Sequence, residues 1–477
     1  MPLPITKNAF LSNSFFIFIT RFFPSLANLA VVVWYSRYLP PALYGRYQGF
    51  WIQLNVVYPI ACFGIHVLAV TYSPGIIISI LNQLKVKHYT FYALWVIALG
   101  LIFAWLQWDK LHLPFIIPFL FILCFSLSLI FESILIVFRN FRSLVVVNIV
   151  YSAAFWAIHW YVLKQGFSVQ AVFTYLLILT ALRLCIYGGI AIGDIKKSKP
   201  IPTDNKLDMP NTRSLWLHLG LYDILQVLFN WIDKFVISLV CVAQVSAIYF
   251  NGSMTIPFLP LLTSAAGSAV LIQLANGNKK DEGTDAILLM NQTGRVLSCI
   301  VFPVFFFLLF FSHELIVTLL SDKYIAAIPV FMVSILVLPV RAYSFTTVLQ
   351  RMHKGAIINI GAIADLLLAC ALMYPLYLWI GLPGVALGFV ISTYLQATFY
   401  LVYTARLLHT SPLKLLPVVN WMVKLIVFAT MFIIIRYGAG LYFTGKIQLI
   451  LGATIMVVII AVSLLVEFKN QRKYGGS

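Results

Sequence analysis

The chain of 477 residues is far too apolar for a protein that folds in water. Hydrophobic residues make up 62% of it and charged residues only 10%, whereas soluble domains are about half apolar and about a quarter charged. This composition excludes a soluble enzyme and a disordered chain, and it predicts a protein of the lipid bilayer. The net charge of +18 indicates loops that face anionic lipid headgroups rather than a nucleic-acid partner.

Apolar runs long enough to cross a bilayer recur along the whole chain. They predict an all-α integral membrane protein with about fourteen transmembrane helices. A shorter amphipathic segment at about 75–84 is expected to lie at the membrane surface before the third span. The predicted spans lie near 10–35, 45–70, 89–108, 114–138, 143–163, 169–193, 215–240, 246–273, 288–311, 325–349, 355–379, 383–407, 416–437 and 447–467.

The basic residues predict the orientation of these spans. If the N-terminus is cytoplasmic, the connections on the cytoplasmic side contain about three times as many Lys and Arg as those on the outer side. Short cytoplasmic loops are enriched in Lys and Arg. We therefore expect an even number of spans and both termini in the cytoplasm.

The longest polar connection, 194–214, divides the chain into parts. Its prolines and lysines predict a cytoplasmic linker between two six-helix lobes, with two additional helices at the C-terminus. The expected domains are an N-lobe at 1–193, the linker at 194–214, a C-lobe at 215–410, and the last two spans with a cytoplasmic tail at 411–477.

The two lobes show a weak internal repeat. An offset of 202 residues aligns Tyr47 with Tyr249 and Asn28 with Asn230. Internal repeats are typical of transporters that bind their substrate between the repeats.

Motifs for catalysis, cofactors and metals are missing from the sequence. It has no Gly-x-x-x-x-Gly-Lys-Ser/Thr loop for ATP phosphates and no His/Glu metal cluster, and its six cysteines are scattered. The outer connections are too short to supply the active site of a membrane enzyme of polysaccharide assembly. We therefore expect no enzyme activity, no cofactor and no metal.

Among the ionisable residues inside the predicted spans, eight are candidates for function, because a charge there is costly. The alternative is that these charges pair with one another and hold helices together. The cations are Arg21, Arg183, Lys234 and Arg341, and the anions are Glu132, Asp223, Asp233 and Asp365.

The first span places its cation on a polar face. Arg21 shares one helix face with Ser25 and Asn28, and Pro24 is expected to bend the helix beside the charge. A deep cation next to a bend favours an anion site in a cavity over a structural ion pair.

The seventh span has a polar stripe at helical spacing. Asp223, Gln226, Asn230 and Asp233 lie on one face, which cannot face lipid. The stripe lines either a wet cavity or a helix interface. Asp233 and its neighbour Lys234 favour a structural pair near the outer end, whereas both interpretations stay open for Asp223.

Four further charges remain open between function and packing. Arg341 follows Pro339 in the tenth span, shares a face with Ser344 and Arg351, and favours a cavity cation. Arg183 and Glu132 lie closer to the inner surface and are candidates for a pair. Asp365 is either a proton or sodium carrier or a helix-packing partner.

Three histidines inside the spans are expected to be satisfied core residues rather than functional groups. They are His66, His159 and His218.

Several motifs occur in an order known from one family. SRYLPPALYGRYQGF follows the first span, NWIDKFVISLV and QVSAIYFNGSM join the seventh and eighth, and GLPGVALGFVISTYLQ begins the twelfth. Together with the division into six, six and two spans, the sequence resembles the polysaccharide-biosynthesis flippases, the O-antigen exporter branch of the MATE-like MOP superfamily.

The resemblance implies a V-shaped pair of lobes that opens alternately to either side of a bacterial inner membrane. The implied task is to move an undecaprenyl-pyrophosphate-linked oligosaccharide, such as an O-antigen unit of lipopolysaccharide, from the cytoplasmic to the periplasmic leaflet. Cations of a central cavity would hold the diphosphate, and polymerase or other assembly proteins would be partners. Arg21 corresponds to a basic position of the first span in this family, whereas Arg183 and Arg341 are candidates because of their depth.

Four anions within the spans depart from a purely cationic cavity. They keep a second hypothesis open, a cation-coupled multidrug exporter of the same architecture, which needs an acidic cavity. The candidate substrate residues are therefore Arg21, Asn28, Arg183, Asp223, Gln226, Asn230 and Arg341, and the candidates for ion coupling are Asp223 and Asp365.

Overall fold

Every regular element in the described part of the chain is a helix. The computed structural model describes residues 7–108, 110–166, 168–198, 209–254, 267, 270, 282–352 and 354–474. The middle of the predicted linker and most of the predicted eighth span lie outside these residues.

The N-terminal half contains ten described helices, and their apolar residues and first residues are those that favour helices in the sequence. For example, prolines at the first helical position, where a missing N–H costs nothing, begin two of them. The helices are α1 (Lys7–Tyr38), α2 (Pro41–Cys62), α3 (Ile65–Thr71), α4 (Pro74–Gln83), α5 (Val86–Gln107), α6 (Ile116–Val137), α7 (Phe141–Lys164), α8 (Val169–Lys197), α9 (Met209–Val240) and α10 (Ala243–Gly252).

The C-terminal half continues with α-helices and three short 3₁₀ turns, which lie at Asp322–Ala327, Ile335–Val337 and Pro339–Ala342. Its described α-helices are α11 (Glu282–Phe310), α12 (Ser312–Leu319), α13 (Ile328–Ser334), α14 (Thr347–Arg351), α15 (Gly355–Ile380), α16 (Leu382–Leu407), α17 (Pro412–Leu415), α18 (Val418–Tyr442) and α19 (Lys446–Tyr474).

Ten stretches of the described residues are long and apolar enough to cross a membrane. The bent pair of α2 and α3 is an eleventh if it forms one span. The all-helical membrane architecture is thus confirmed, and the total of fourteen spans stays a prediction. The short helix α4 occupies almost the same residues as the predicted surface segment at 75–84.

The described chain forms two compact units, Met1–Gln244 and Val245–Ser477. Helix α9 belongs to the first unit because it packs on α2 and α3. The predicted division at the 194–214 linker follows the sequence repeat rather than these compact units, and it stays a prediction.

The N-terminal unit is organised around buried aromatic rings. The ring of Phe50 on α2 lies 4.4 Å from that of Phe173, 5.2 Å from Phe121 and 5.3 Å from Phe103. These rings come from four different helices, so they fix α2 at the centre of the unit. Edge-to-face and tilted ring pairs of this kind add stability beyond the burial of their area.

The C-terminal unit contains a discontinuous span, and one prediction there is wrong. The predicted tenth span, 325–349, is not one helix: 3₁₀ turns alternate with α13, and Tyr343 is extended at φ −144° and ψ 144°. Arg341, Ser344 and Arg351 therefore do not share a helical face. Prolines at 329 and 339 interrupt the hydrogen bonding that a regular helix needs.

Helix boundaries support the sequence repeat. Helix α1 ends at Tyr38 and α9 at Val240, while α2 begins at Pro41 and α10 at Ala243. Both boundaries are separated by the same 202 residues that align Tyr47 with Tyr249, and both tyrosines are fully buried. Besides a few identical residues, the two halves thus share a connection of the same length between their first two helices.

Candidate functional site

Arg21 lies on the exposed polar face that the spacing predicts. Arg21, Ser25 and Asn28 are all exposed along α1. The hydroxyl of Ser25 donates to the backbone carbonyl of Arg21 at 2.8 Å, and the helix continues through Pro24. Within the described residues the Arg21 guanidinium has no carboxylate within 4 Å.

The polar stripe of α9 divides into two parts. Asn230 is exposed and donates to the backbone carbonyl of Gln226 at 2.8 Å, while Gln226 is half-buried. Asp233 is buried and lies 3.2 Å from the ammonium of Lys234. The predicted structural pair of Asp233 and Lys234 is thus confirmed.

Asp223, the remaining residue of the stripe, faces another helix of the same unit. Its Oδ2 lies 3.5 Å from Nε2 of His66 on α3. His66 was predicted to be a satisfied core residue, yet its Nδ1 is buried with no hydrogen bond in the described chain. The pair joins two of the polar side chains that the sequence places inside spans.

Arg183 lies in a cluster of its own, with three side chains around its guanidinium. Its Nη2 lies 2.9 Å from Oε2 of Glu132, and the guanidinium packs on the rings of Tyr151 and Tyr187 at 4.7 and 5.0 Å. The hydroxyl of Tyr187 in turn donates to Asn148 at 2.9 Å. The predicted pairing of Arg183 with Glu132 is confirmed, and its guanidinium is already neutralised and stacked.

Arg341 and Asp365 belong to the C-terminal unit. Arg341 lies in the last 3₁₀ turn of the discontinuous span and attracts the carboxylate of Asp365 electrostatically. Asp365 on α15 is 2% exposed and interacts with the side chain of Ser392. No ion pair within 4 Å joins Arg341 and Asp365.

The other two histidines behave differently. His159 is completely buried, and its ring nitrogens lie 2.7 Å from the hydroxyl of Tyr47 and 2.7 Å from the carbonyl of Phe155. It is the satisfied core histidine that was predicted. His218 is exposed on α9, so the prediction of a core residue is wrong there.

Two ion pairs of the C-terminal helices were missed by sequence reasoning. Lys424 lies 3.0 Å from Glu467 and also donates to the carbonyl of Arg295 at 2.6 Å. Arg436 lies 2.7 Å from Glu314. Both cations lie within the predicted span 416–437, and nothing in the sequence indicates their partners.

No metal cluster of three or more His, Cys, Asp or Glu residues occurs in the part of the chain that the structure describes.

No protein-family model and no curated protein sequence matches the chain. Solved structures, in contrast, are similar to it over most of its length. The chain is similar to the lipid II flippase MurJ in an inward closed conformation, with a TM-score of 0.68 and 16% identity over 97% of this chain and 99% of that one. It is also similar to an inward-facing multidrug resistance MATE family transporter of the MOP superfamily, with a TM-score of 0.59 and 14% identity over 81% of this chain and 94% of that one.

The chain has the fold of MOP-superfamily transporters. The similarity extends over nearly the whole length of both chains in the comparison with the flippase. Both of these structures are transporters rather than enzymes.

Proposed function

We propose that the protein is a flippase for a lipid-linked oligosaccharide. Its cargo would be an undecaprenyl-pyrophosphate-linked repeat unit of O-antigen or another surface polysaccharide. It would carry this cargo from the cytoplasmic to the periplasmic leaflet of a bacterial inner membrane by alternating access. The observation that supports this most is the unpaired, exposed Arg21 in the middle of α1, in a chain with the fold of a flippase.

The position of Arg21 supports an anion site along a water-filled route. Arg21 is more than about 20 Å from either end of α1, at a rise of 1.5 Å per residue. An unpaired guanidinium at such a depth is costly in contact with lipid. Diphosphate oxygens suit it, because arginine binds phosphate through two parallel hydrogen bonds.

Other polar groups are candidates to extend this proposed route. Asn28 on α1 and Gln226 and Asn230 on α9 would supply uncharged donors and acceptors for sugar hydroxyls. Arg341 is a second candidate for a phosphate contact. Arg183 is a weaker candidate than the sequence indicated, because Glu132 already neutralises it.

The membrane potential supports transport in the proposed direction. A diphosphate carries about two negative charges, and each releases about 2.3 kcal/mol per 100 mV when it leaves a negative cell interior. A coupling cation at Asp223 or Asp365 would add to this driving force. We propose that both termini are cytoplasmic and that polysaccharide polymerase or assembly proteins receive the cargo.

A reconstituted assay tests the proposal. Purified protein in liposomes should move a fluorescent polyprenyl-pyrophosphate oligosaccharide between leaflets without ATP, and faster when an imposed potential favours anion export. The control is the variant Arg142→Ala, which removes an exposed arginine near the start of α7 and should leave the rate unchanged. Correctly inserted protein that moves no lipid under a potential would overturn the flippase proposal.

The carboxylates Asp223 and Asp365 favour a second candidate, a cation-coupled multidrug exporter of the same fold. The same liposomes distinguish the two. Accumulation of a lipophilic cationic dye under an imposed proton or sodium gradient, with no lipid movement, would support the exporter.

A further inference from the structure

The second span contains a sharp joint. Helices α2 and α3 meet at an angle of 57°, and the two residues between them, Phe63 and Gly64, both have left-handed backbones at φ 44° and 67°. A left-handed conformation is strained for phenylalanine and easy for glycine. Strain of this kind persists only when the surrounding structure holds the backbone in place.

Helix α9 holds the joint through one of its faces. The indole of Trp216 donates to the carbonyl of Phe63 at 2.7 Å, and a Cβ added to Gly64 would clash with the backbone of Gly220. One turn further, Asp223 meets His66. Trp216, Gly220 and Asp223 are spaced i, i+4, i+7, so the joint lies along a single stripe of α9.

The contact between His66 and Asp223 differs from the other two because its strength depends on a proton. The 3.5 Å separation suits an ion pair, while Nδ1 of His66 and Oδ2 of Asp223 are buried without hydrogen bonds in the described chain. Their side chains are 14% and 17% exposed, so water reaches the pair only in part. Imidazole is the side chain whose charge ordinarily changes between about pH 5 and 8.

Among the described groups around the pair, His66 is the one that a proton would turn into a cation beside Asp223. From α2, the thiol of Cys62 and the hydroxyl of Tyr58 are in electrostatic range of Asp223. Both are ordinarily neutral near pH 7. Beyond them, Glu132 of α6 is paired with Arg183 of α8 and adds little net charge. From α5, Tyr92 contributes a neutral hydroxyl, and on α9 itself His218 is exposed.

We propose that His66 and Asp223 form a proton-binding site that controls the joint at Phe63 and Gly64. When His66 takes up a proton, the imidazolium and the carboxylate attract each other and hold α3 against α9. When the proton leaves, this ionic attraction is lost, while the contacts with Trp216 and Gly220 remain. Because the joint lies inside a membrane-spanning segment of a transporter fold, the site would couple proton uptake to a change in the angle between α2 and α3. This inference goes beyond the proposed function, since it holds for any cargo.

Amide hydrogen exchange measured by mass spectrometry on the full chain in lipid nanodiscs tests the proposal without a substrate. Peptides that cover 60–72 and 214–224 are compared at pH 5.5 and pH 8, with labelling times scaled for the intrinsic rate of exchange. We expect exchange at the joint to be slower at pH 5.5 by about threefold, the effect of a modest ion pair. The difference should vanish in His66→Gln and in Asp223→Asn.

The variant His218→Gln is the matched control, because it removes an exposed histidine from α9, the helix of Asp223, on a different face from Trp216, Gly220 and Asp223. This variant should keep the wild-type difference. Equal protection at both pH values in the wild type would overturn the proposal without any variant. A pH difference that survives in both His66→Gln and Asp223→Asn would assign the proton to another group. Neither result depends on lipid transport, so failure here and failure of the flippase assay are separate outcomes.

Discussion

Replacing Arg21 by alanine should separate transport from folding. The guanidinium is exposed on α1 and has no carboxylate partner in the described chain. The backbone carbonyl of Arg21 accepts a hydrogen bond from the hydroxyl of Ser25, and alanine keeps that carbonyl. The side chain therefore contributes little to the packing of α1.

The expected magnitudes differ strongly between the two readouts. Exposed substitutions away from special features change the free energy of unfolding by less than about 0.5 kcal/mol. A hydrogen bond to a charged group contributes about 1.5–3 kcal/mol, which corresponds to roughly 10- to 100-fold in binding. Arg21→Ala should thus lower the rate of lipid movement at limiting substrate by about that factor, while Arg21→Lys keeps part of it as a point charge.

The assay compares initial rates of movement of a labelled polyprenyl-pyrophosphate oligosaccharide in liposomes with equal amounts of inserted protein. Thermal unfolding of the same preparations reports stability. A wild-type rate in Arg21→Ala would show that Arg21 does not bind the phosphates. Loss of the variant from the membrane would instead show that Arg21 is a packing residue.

Three further substitutions test the structural charges. Glu132→Gln leaves Arg183 without its partner and should lower the free energy of unfolding by about 3 kcal/mol, with recovery in the double variant Glu132→Gln/Arg183→Met, measured by thermal unfolding in detergent. Lys424→Met leaves the buried Glu467 unpaired and should cost a similar amount, and an unchanged unfolding temperature would contradict a role in holding the last two helices. Burial lowers the pKa of Lys110, in the connection between α5 and α6, below its ordinary value of 10.5. The unfolded state then binds this proton more tightly, so stability should rise with pH towards 10.5, and the rise should be smaller in Lys110→Gln when unfolding temperatures are compared between about pH 8 and 10.

Local composition was enough to predict most of the helices. The predicted spans 89–108 and 114–138 differ by only a few residues from α5 and α6, because an apolar run long enough for the membrane satisfies its backbone as a helix. A span was predicted at 325–349, but its break into short helical pieces was missed, since its composition is as apolar as that of a regular span. Its prolines signalled an interruption without showing that the helix would end before Tyr343.

The partners of the charges were harder to predict than their positions. Arg183 and Glu132 were recognised as a possible pair because both lie near the same surface, yet nothing in the sequence joins Lys424 to Glu467 or Arg436 to Glu314. An ion pair depends on which helices pack together and on how each helix is rotated about its axis. The sequence alone shows neither. The same reason explains why Asp223 was a candidate while its partner His66 was assigned to the core.

Whether a charge has a partner also bears on the choice between the two candidate functions. Removing a charge from water is costly, and a carboxylate nearby offsets that cost only if the geometry is good. Arg183, Lys234, Lys424 and Arg436 each have such a carboxylate within 3.2 Å, whereas Arg21 has none in the described chain. A site for cationic drugs would be destabilised by an unpaired cation, because like charges repel. If Arg21 lines the proposed route, an anionic cargo would be stabilised by it, and the unpaired Arg21 would then favour the lipid diphosphate over the drug.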